Sequence, residues 1–404
     1  MKAIKVKLYL SPQQAGYANN LLGCSRFIYN NCLAYKIQKY NEEKINVGFK
    51  DLGKHLTNLK SEHVWLKDVH SKVLQQSLIN LEYSYKNFFK NGMGFPNFKK
   101  KSQKQSCRFP VDAIMGINGN RINLIRALND IHYKCSVRDE KLLNKYQDLI
   151  KSATLSKSKS GDYYLSILID IKSIMQLPKT DKVIGIDLGI KDFIVTSDNE
   201  SFENLKSIRT NQNKLNKLHK SLSRKQKGSN NKTKARIKLA KFHEKLHNIK
   251  DNYLHHISNQ LLSENQVIVI EDLNVSGMLK NHCLAKSIQE LSLYRFKTLL
   301  TYKSEWYGRD LIEIDRFYPS SKTCSCCGYK NDNLTLNDRT YKCPICLVSI
   351  DRDYNAAINI RNEGIRILNI NCNNLEKNTY NEEIGLSSPE LTPLERTTVV
   401  GSLN

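Results

Sequence analysis

Acids placed at the ends of apolar strands are the first residues in this chain that could do chemistry. Val183-Ile184-Gly185-Ile186-Asp187-Leu188-Gly189 is a run rich in β-branched residues with one carboxylate near its end, and Gly185 and Gly189 flank that acid so that another segment can approach the backbone. Gln266–Glu271 (QVIVIE) is a second apolar strand ending in Glu271, followed by Asp272. Ile350–Ala357 (IDRDYNAA) offers Asp351 and Asp353 at the start of a helix. An ionised carboxylate buried without a partner costs several kcal/mol, so Asp187 is exposed at its strand end, paired with a base, or bound to a metal. Acids from three distant segments converge only through tertiary structure, and together they would line an oxygen site for two Mg²⁺ ions. Two such cations, about 4 Å apart, hydrolyse phosphodiesters by activating the attacking water and stabilising the leaving oxygen. A carboxylate bridging both, the role expected of Asp187 on a central strand, would be the hardest to replace. Strand alternation sends Glu271 and Asp272 to opposite faces. The residues alone leave open which of those two, and which of Asp351 and Asp353, faces the site.

A second chemistry is carried by cysteines. Cys324-x-x-Cys327 and Cys343-x-x-Cys346 are separated by fifteen residues, so two turns can bring four thiolates to one tetrahedral Zn²⁺ while the intervening segment forms a short hairpin. With every position filled by protein the ion would be structural, bracing the insertion that runs up to Asp353. Cys326 sits beside Cys327, but Cys324-x-Cys326 is one residue short of the usual turn. The other six of the eleven cysteines show no paired spacing and read as reduced thiols.

Positioning these groups takes 404 residues, enough for roughly two to four structural units. Lys2–Leu10 alternates as a strand, and Ser11-Pro12 opens a helix with Ser11 as N-cap. The pattern then stays helical to about Lys90, through Leu21, Leu22, Phe27, Ile28 and Leu33 and later Val73, Leu74, Leu78, Leu81, Tyr85, Phe88 and Phe89. Gln75 and Gln76 flank that last helix; glutamine can bond adenine edges in a groove, or simply face solvent. Residues 91–108 form a loop in which Phe95 and Phe98 precede Lys99, Lys100 and Lys101, a mixture suited to stacked bases and phosphates, or to a solvated linker. From Phe109 to Ile171 short apolar stretches alternate with turns, as in an antiparallel sheet or small barrel that Lys2–Leu10 could join. Pro178–Asp181 marks the boundary of a second half. There Asp192–Thr196 can pair with the Asp187 strand, and Leu311–Ile314 starts a further strand. Two helical seams, Leu215, Leu218 and Leu222 and then Leu239, Phe242, Leu246, Ile249, Tyr253 and Ile257, are joined by a basic turn. Arg224, Lys225 and Lys227 in that turn are candidate phosphate contacts.

The formal net charge is +24, and because the segment from Ile370 onward carries five acids against two bases, +27 falls on the remainder. So large a charge opposes compaction and points to a polyanion, nucleic acid first, although a Lys-, Asn- and Ile-rich composition raises it too. No apolar run approaches the ~18 residues of a membrane span, and the start of the chain has too short an apolar core for a signal peptide. A cytoplasmic, nucleoid-associated protein is expected.

CSRFIYN at 24–30, LSRKQKGSNNKTKARIKLAKFHEKLHN at 222–248, SSKTCSCCG at 320–328 and DRDYNAA at 351–357, together with GIDLG and IED, resemble the OrfB/TnpB family of insertion-sequence proteins, the group considered ancestral to type V CRISPR effectors. The resemblance spans most of the chain apart from its tail. It implies an RNA-guided DNA endonuclease whose RuvC-like, RNase H-type domain is split by a zinc insertion, with Asp187, Glu271 and Asp353 matching the catalytic acids. Zn²⁺, Mg²⁺ and a guide RNA are the implied cofactors, and guide RNA and target DNA the partners, with no membrane and a monomer expected. Base pairing would choose the target while the protein reads a short flanking motif. The expected fold is a multidomain α+β and α/β chain. Residues 1–10 and 100–177 would form a wedge-like β-barrel, 11–99 a helical recognition insertion, 178–318 and 347–368 the nuclease, 319–346 a zinc ribbon and 369–404 a disordered tail. Two other functions fit the same residues: a transposase that joins strands with the same acids, and a binding regulator with no activity.

Overall fold

Lysines alternate with Ile4, Val6 and Leu8 in β1 (Lys2–Tyr9), which buries one face and leaves the other polar. In the computed structural model, which describes residues 1–171, 176–280, 285–335 and 338–383, that strand lies inside a seven-stranded antiparallel sheet. Three helices follow it: α1 (Pro12–Glu43), α2 (Phe49–Glu62) and α3 (Ser71–Asn91). As expected, Ser11 caps α1, its Oγ accepting from the Gln14 N–H while Gln14 Oε1 accepts from the Ser11 N–H. The chain then returns through β2 (Gln105–Pro110), β3 (Gly116–Asn118), β4 (Arg121–Asn123), β5 (Ile131–Lys134), α4 (Val137–Lys145), β6 (Ile150–Lys157) and β7 (Tyr163–Ile169). The strand order is β2-β6-β7-β1-β5-β4-β3. Among the described residues no ladder joins β2 to β3, so these pairings draw an open sheet where a barrel was expected. Leu21, Ile28, Leu74 and Leu78 of the helices share one core with Ile4, Val6 and Leu165 of the sheet. The helical insertion is therefore packed into the sheet, not set apart from it.

After residue 176 a five-stranded sheet forms in the order β10-β9-β8-β11-β12. β8 (Val183–Leu188), β9 (Asp192–Thr196) and β10 (Ser201–Glu203) pair antiparallel, while β8, β11 (Val267–Glu271) and β12 (Asp310–Ile314) run parallel. Between β10 and β11 come α5 (Ser207–Thr210), α6 (Gln212–Ser223) and α7 (Asn230–Glu264). Between β11 and β12 come α8 (Val275–Met278), α9 (Ala285–Leu291) and α10 (Leu293–Tyr307), the crossover that a parallel pair requires. The small hairpin of β13 (Thr340–Lys342) and β14 (Ser349–Asp351) leads directly into α11 (Arg352–Glu383). Ile184, Ile186, Ile268 and Ile270 face Phe296, Leu299 and Leu300 of α10, and Val269 on the other sheet face joins Ile360 of α11.

The chain divides into two units, Met1–Ile174 with Arg209–Asn248, and Met175–Ile208 with Ile249–Asn404. The stretch 178–318, expected to be all nuclease, thus gives 209–248 to the first unit, where Glu244 accepts hydrogen bonds from Tyr164 Oη at 2.6 Å and from Ser160 Oγ. The helix α11 continues to Glu383, well into the segment expected to be a disordered tail, because the sequence after Gly364 offers no glycine or proline before Gly385. The rest of that expected tail, 384–404, lies outside the described residues. Among the described residues no helix is long and apolar enough to cross a membrane.

Candidate metal centre

Parallel pairing of β8 with β11 sets Ile186 beside Ile270, so the next residues, Asp187 and Glu271, emerge together at the carboxyl ends of neighbouring strands. Strand alternation puts Gly185 and Asp187 on one sheet face, as it does Val269 and Glu271, and α11 lies on that face. Its approach is unusually close. A Cβ on Gly185 would stand 2.2 Å from the Ala357 carbonyl oxygen and 2.4 Å from the Arg361 nitrogen. A Cβ on Gly364 would stand 2.3 Å from Val269 Cγ2. Asp353 is one helical turn before Ala357, so the contact permitted by Gly185 carries the helix acid to the strand acids.

The electrostatics record that convergence. Burial first, and then the negative charges of Glu271 and Asp353, together raise Asp187 to about 8, with Arg352 opposing them. Burial also raises Glu271, against a hydrogen bond in which Ser320 Oγ donates to Glu271 Oε1. Arg352 Nη2 lies 3.3 Å from Asp353 Oδ1. Three neighbouring carboxylates with one guanidinium beside them form a donor set of hard oxygens with excess negative charge, which suits Mg²⁺.

Structure separates the acids that the residues left open. Asp272 points to the opposite sheet face, where Arg316 and Lys297 pair with it. Asp351 caps α11, its Oδ1 accepting from the N–H groups of Asp353 at 2.9 Å and Tyr354 at 3.1 Å. Asn355 lies further along α11 and faces inward. It is fully buried, accepting from the Ser325 N–H at 2.9 Å and donating to the Thr323 carbonyl at 2.7 Å.

Cys324, Cys327, Cys343 and Cys346 bring their sulfurs within 4.8 Å of one another, the one such cluster of potential ligands among the described residues. Cys324 and Cys346 sulfurs are 3.6 Å apart, and those of Cys327 and Cys343 are 3.5 Å apart. Zn–S bonds of about 2.3 Å in a tetrahedron need sulfurs about 3.8 Å apart, so the four thiols fit zinc. Burial would raise Cys343, but N–H groups of Cys346 and Ile345 outweigh it and hold the thiol at about 6. Cys326 is exposed and outside the cluster.

Residues 1–44 match a family model described as a helix-turn-helix domain, 166–282 one described as "Probable transposase" of the OrfB type, and 294–360 the Cas12f1-like TNB domain. A Streptomyces pristinaespiralis protein described as "Putative RNA-guided DNA endonuclease" is 34% identical over 367 residues, 90% of this chain and 89% of that one. The chain belongs to the OrfB/TnpB family. InsQ of Escherichia coli K12, with the same description, is 30% identical to this TnpB-like chain across 91% of it and 93% of InsQ. The fold resembles that of the protein in a Cas12f1–sgRNA–target DNA complex, with a TM-score of 0.54 at 15% identity, over 87% of this chain and 83% of that one. In the segment matched as helix-turn-helix, this TnpB-like chain has a strand and one unbroken helix, β1 and α1.

The expected nucleic-acid contacts of the TnpB-like chain divide into two sets. Arg224 and Lys225 line a cavity of about 300 Å³ with Lys217, Lys220 and Ser221, and Lys227 is exposed on the adjoining turn. Lys100 and Lys101 are exposed, as is Gln75, and Gln76 is half-buried. Lys99 is committed elsewhere, its Nζ 3.7 Å from the ring centre of Tyr29 while its backbone N–H and carbonyl both bond Asn30. Phe95 packs on Tyr85 and Phe88 at centroid distances of 5.6 and 5.4 Å, so the loop's aromatic residue first serves to dock the loop. Sequence reading missed Ser320, Asn355 and Asn359 as a group. Their only signal was polar side chains at buried helical spacing, four residues apart for the two asparagines.

Proposed function

We propose that this TnpB-like chain is a Mg²⁺-dependent DNA endonuclease directed by a guide RNA and belonging to a mobile element. The observation that carries the reading is that Asp187 is buried beside Glu271 and Asp353, so that burial first and those two charges next raise it to about 8. Substrate and guide are supported by the relatives' description as RNA-guided DNA endonucleases and by a net charge of +24. Residues 1–10 and 100–177 are taken as the wedge-like part, 11–99 as recognition, 178–318 and 347–368 as a RuvC-like nuclease less the 209–248 hairpin, and 319–346 as the zinc ribbon.

In this reading Asp187 on the central strand would be the metal ligand hardest to replace, and its carboxyl would have to be deprotonated to serve as one. Glu271 and Asp353 would supply the other carboxylate oxygens to the metal. Divalent ions held there would polarise the scissile phosphate and activate water. Arg352 neutralises part of the carboxylate charge and keeps Asp353 in place. The four cysteines would hold Zn²⁺ as a structural ion that takes no part in the reaction. Arg224, Lys225, Lys227, Lys100 and Lys101 would follow phosphates, with Gln75 and Gln76 near a base edge.

The test is to sequence RNA that copurifies with the protein and assay cleavage of DNA complementary to its variable end. Discrete transcripts from the protein's own locus and cleavage that needs both RNA and Mg²⁺ are expected. Random cellular RNA, or strand-transfer products formed without RNA, would overturn the reading.

A further inference from the structure

Ser320 stands where the two centres meet. Its Oγ donates to Glu271 Oε1 at 2.5 Å, and its backbone carbonyl accepts from Asn359 Nδ2 at 2.8 Å. Asn359 also donates to the Thr323 carbonyl at 2.6 Å, and Asn355, one helical turn earlier, grips Thr323 and Ser325. Thr323 folds back through its N–H and Oγ1 onto the Pro319 carbonyl, at 3.0 and 2.8 Å, and precedes the first zinc ligand, Cys324. Ser320, Asn355 and Asn359 are all at least nine-tenths buried. Buried amides that each make two hydrogen bonds to the turn leave it little freedom, so the turn from Pro319 to Ser325 is fixed to α11, and α11 also carries Asp353.

We propose that Ser320 is a positioning residue for the Glu271 carboxylate, and that the Asn355 and Asn359 clamp joins it to the cysteine knuckle, so that zinc-site architecture sets the geometry of the divalent-metal site. The inference rests on the metal reading of Asp187, Glu271 and Asp353. A glutamate side chain turns about three torsions, and a hydroxyl bonded to one carboxylate oxygen restricts that freedom while leaving the other oxygen for metal. Outer partners of this kind typically change metal affinity about 10- to 100-fold. The clamp also explains why two asparagines, poor helix formers, sit inside α11.

The full-length protein with its copurified RNA is titrated with Mn²⁺, free ion being followed by electron paramagnetic resonance and zinc content by metal analysis. Asp187→Ala should abolish the Mn²⁺ binding in question. Ser320→Ala should keep zinc and RNA yet weaken Mn²⁺ binding about tenfold, and Ser320→Thr, which restores a hydroxyl, should recover most of the affinity. Asn359→Ala should weaken Mn²⁺ binding in the parent and add little in the Ser320→Ala background, since both act through one contact. Wild-type Mn²⁺ affinity in Ser320→Ala, failure of Ser320→Thr to recover it, or zinc loss in Ser320→Ala would overturn the inference alone. Mn²⁺ binding indifferent to Asp187→Ala would overturn the metal reading itself, and the inference with it.

Discussion

The cysteine knuckle and the acid cluster handle charge in opposite ways. The knuckle gathers four soft sulfurs within 4.8 Å and has backbone N–H groups turned toward Cys343, so a cation completes a cage that is already formed. The acid cluster gathers hard oxygens on a buried strand end, with Arg352 as partial compensation and Asp187 at about 8. In the proposed reading the first would be closed and structural, while the second would keep its carboxylates under repulsion until a cation arrives. A site proposed to bind both metal and substrate would not satisfy its own charge first, and that unrelieved cost would separate it from a brace.

Loss of one acid should test the contrast most severely. Asp187→Ala is expected to lower DNA cleavage by at least ~10³-fold while guide RNA stays bound, measured by single-turnover cleavage and RNA copurification; such losses are typical of removing a metal-bridging group. Cleavage within tenfold of the parent would remove the acid cluster from the mechanism. Cys343→Ser should empty the knuckle of zinc and lower cleavage by a smaller factor, read by metal analysis beside activity, whereas Cys326→Ser should change neither.

Stability should separate the regions next. Gly185→Ala forces α11 off β8 and should cost on the order of 3 kcal/mol, the scale of severe overpacking, seen as a lower midpoint in urea. Asp187 has a folded value of about 8 against an ordinary 3.8. Between those values the fold holds a proton that the unfolded chain has lost, so rising pH favours unfolding. Metal-free protein should therefore lose stability as pH rises from about 4 to about 8, and Asp187→Asn should flatten that slope, as followed by thermal melts in chelator. A slope unchanged in Asp187→Asn would mean that the charge cost lies elsewhere. Because Mg²⁺ displaces the proton, its stabilising effect should grow over the same window. The smallest effect is expected at Asp272→Asn, which loosens an exposed ion-pair group on the far sheet face and should leave cleavage within about twofold, surface pairs contributing little.

Much of this was legible in the residues. The β1 alternation, the Ser11 cap, the basic turn and the four-cysteine spacing are local patterns, and each has a local physical cause. The choice of Glu271 over Asp272 was half legible: alternation separated them, but only α11 lying over Gly185 and Val269 says which face holds the other acids. Asp351 could not be told from Asp353 because a cap and a ligand are both acids at a helix start. The membership of 209–248 in the first unit was invisible, since Glu244 meets Tyr164 across 80 positions of chain.

By itself the sequence determined which groups were available: hard oxygens at strand ends, soft sulfurs in paired turns, and a large positive charge. It also determined the strands and helices that carry them, because periodicity and capping act over a few residues. Only the tertiary structure decided which acids meet, that Gly185 and Gly364 admit α11 to the sheet, and that buried asparagines hold the turn whose Ser320 bonds Glu271. Those are contacts between segments far apart in the chain, and burial and hydrogen bonding, which set them, are properties of the assembled core and not of any one stretch.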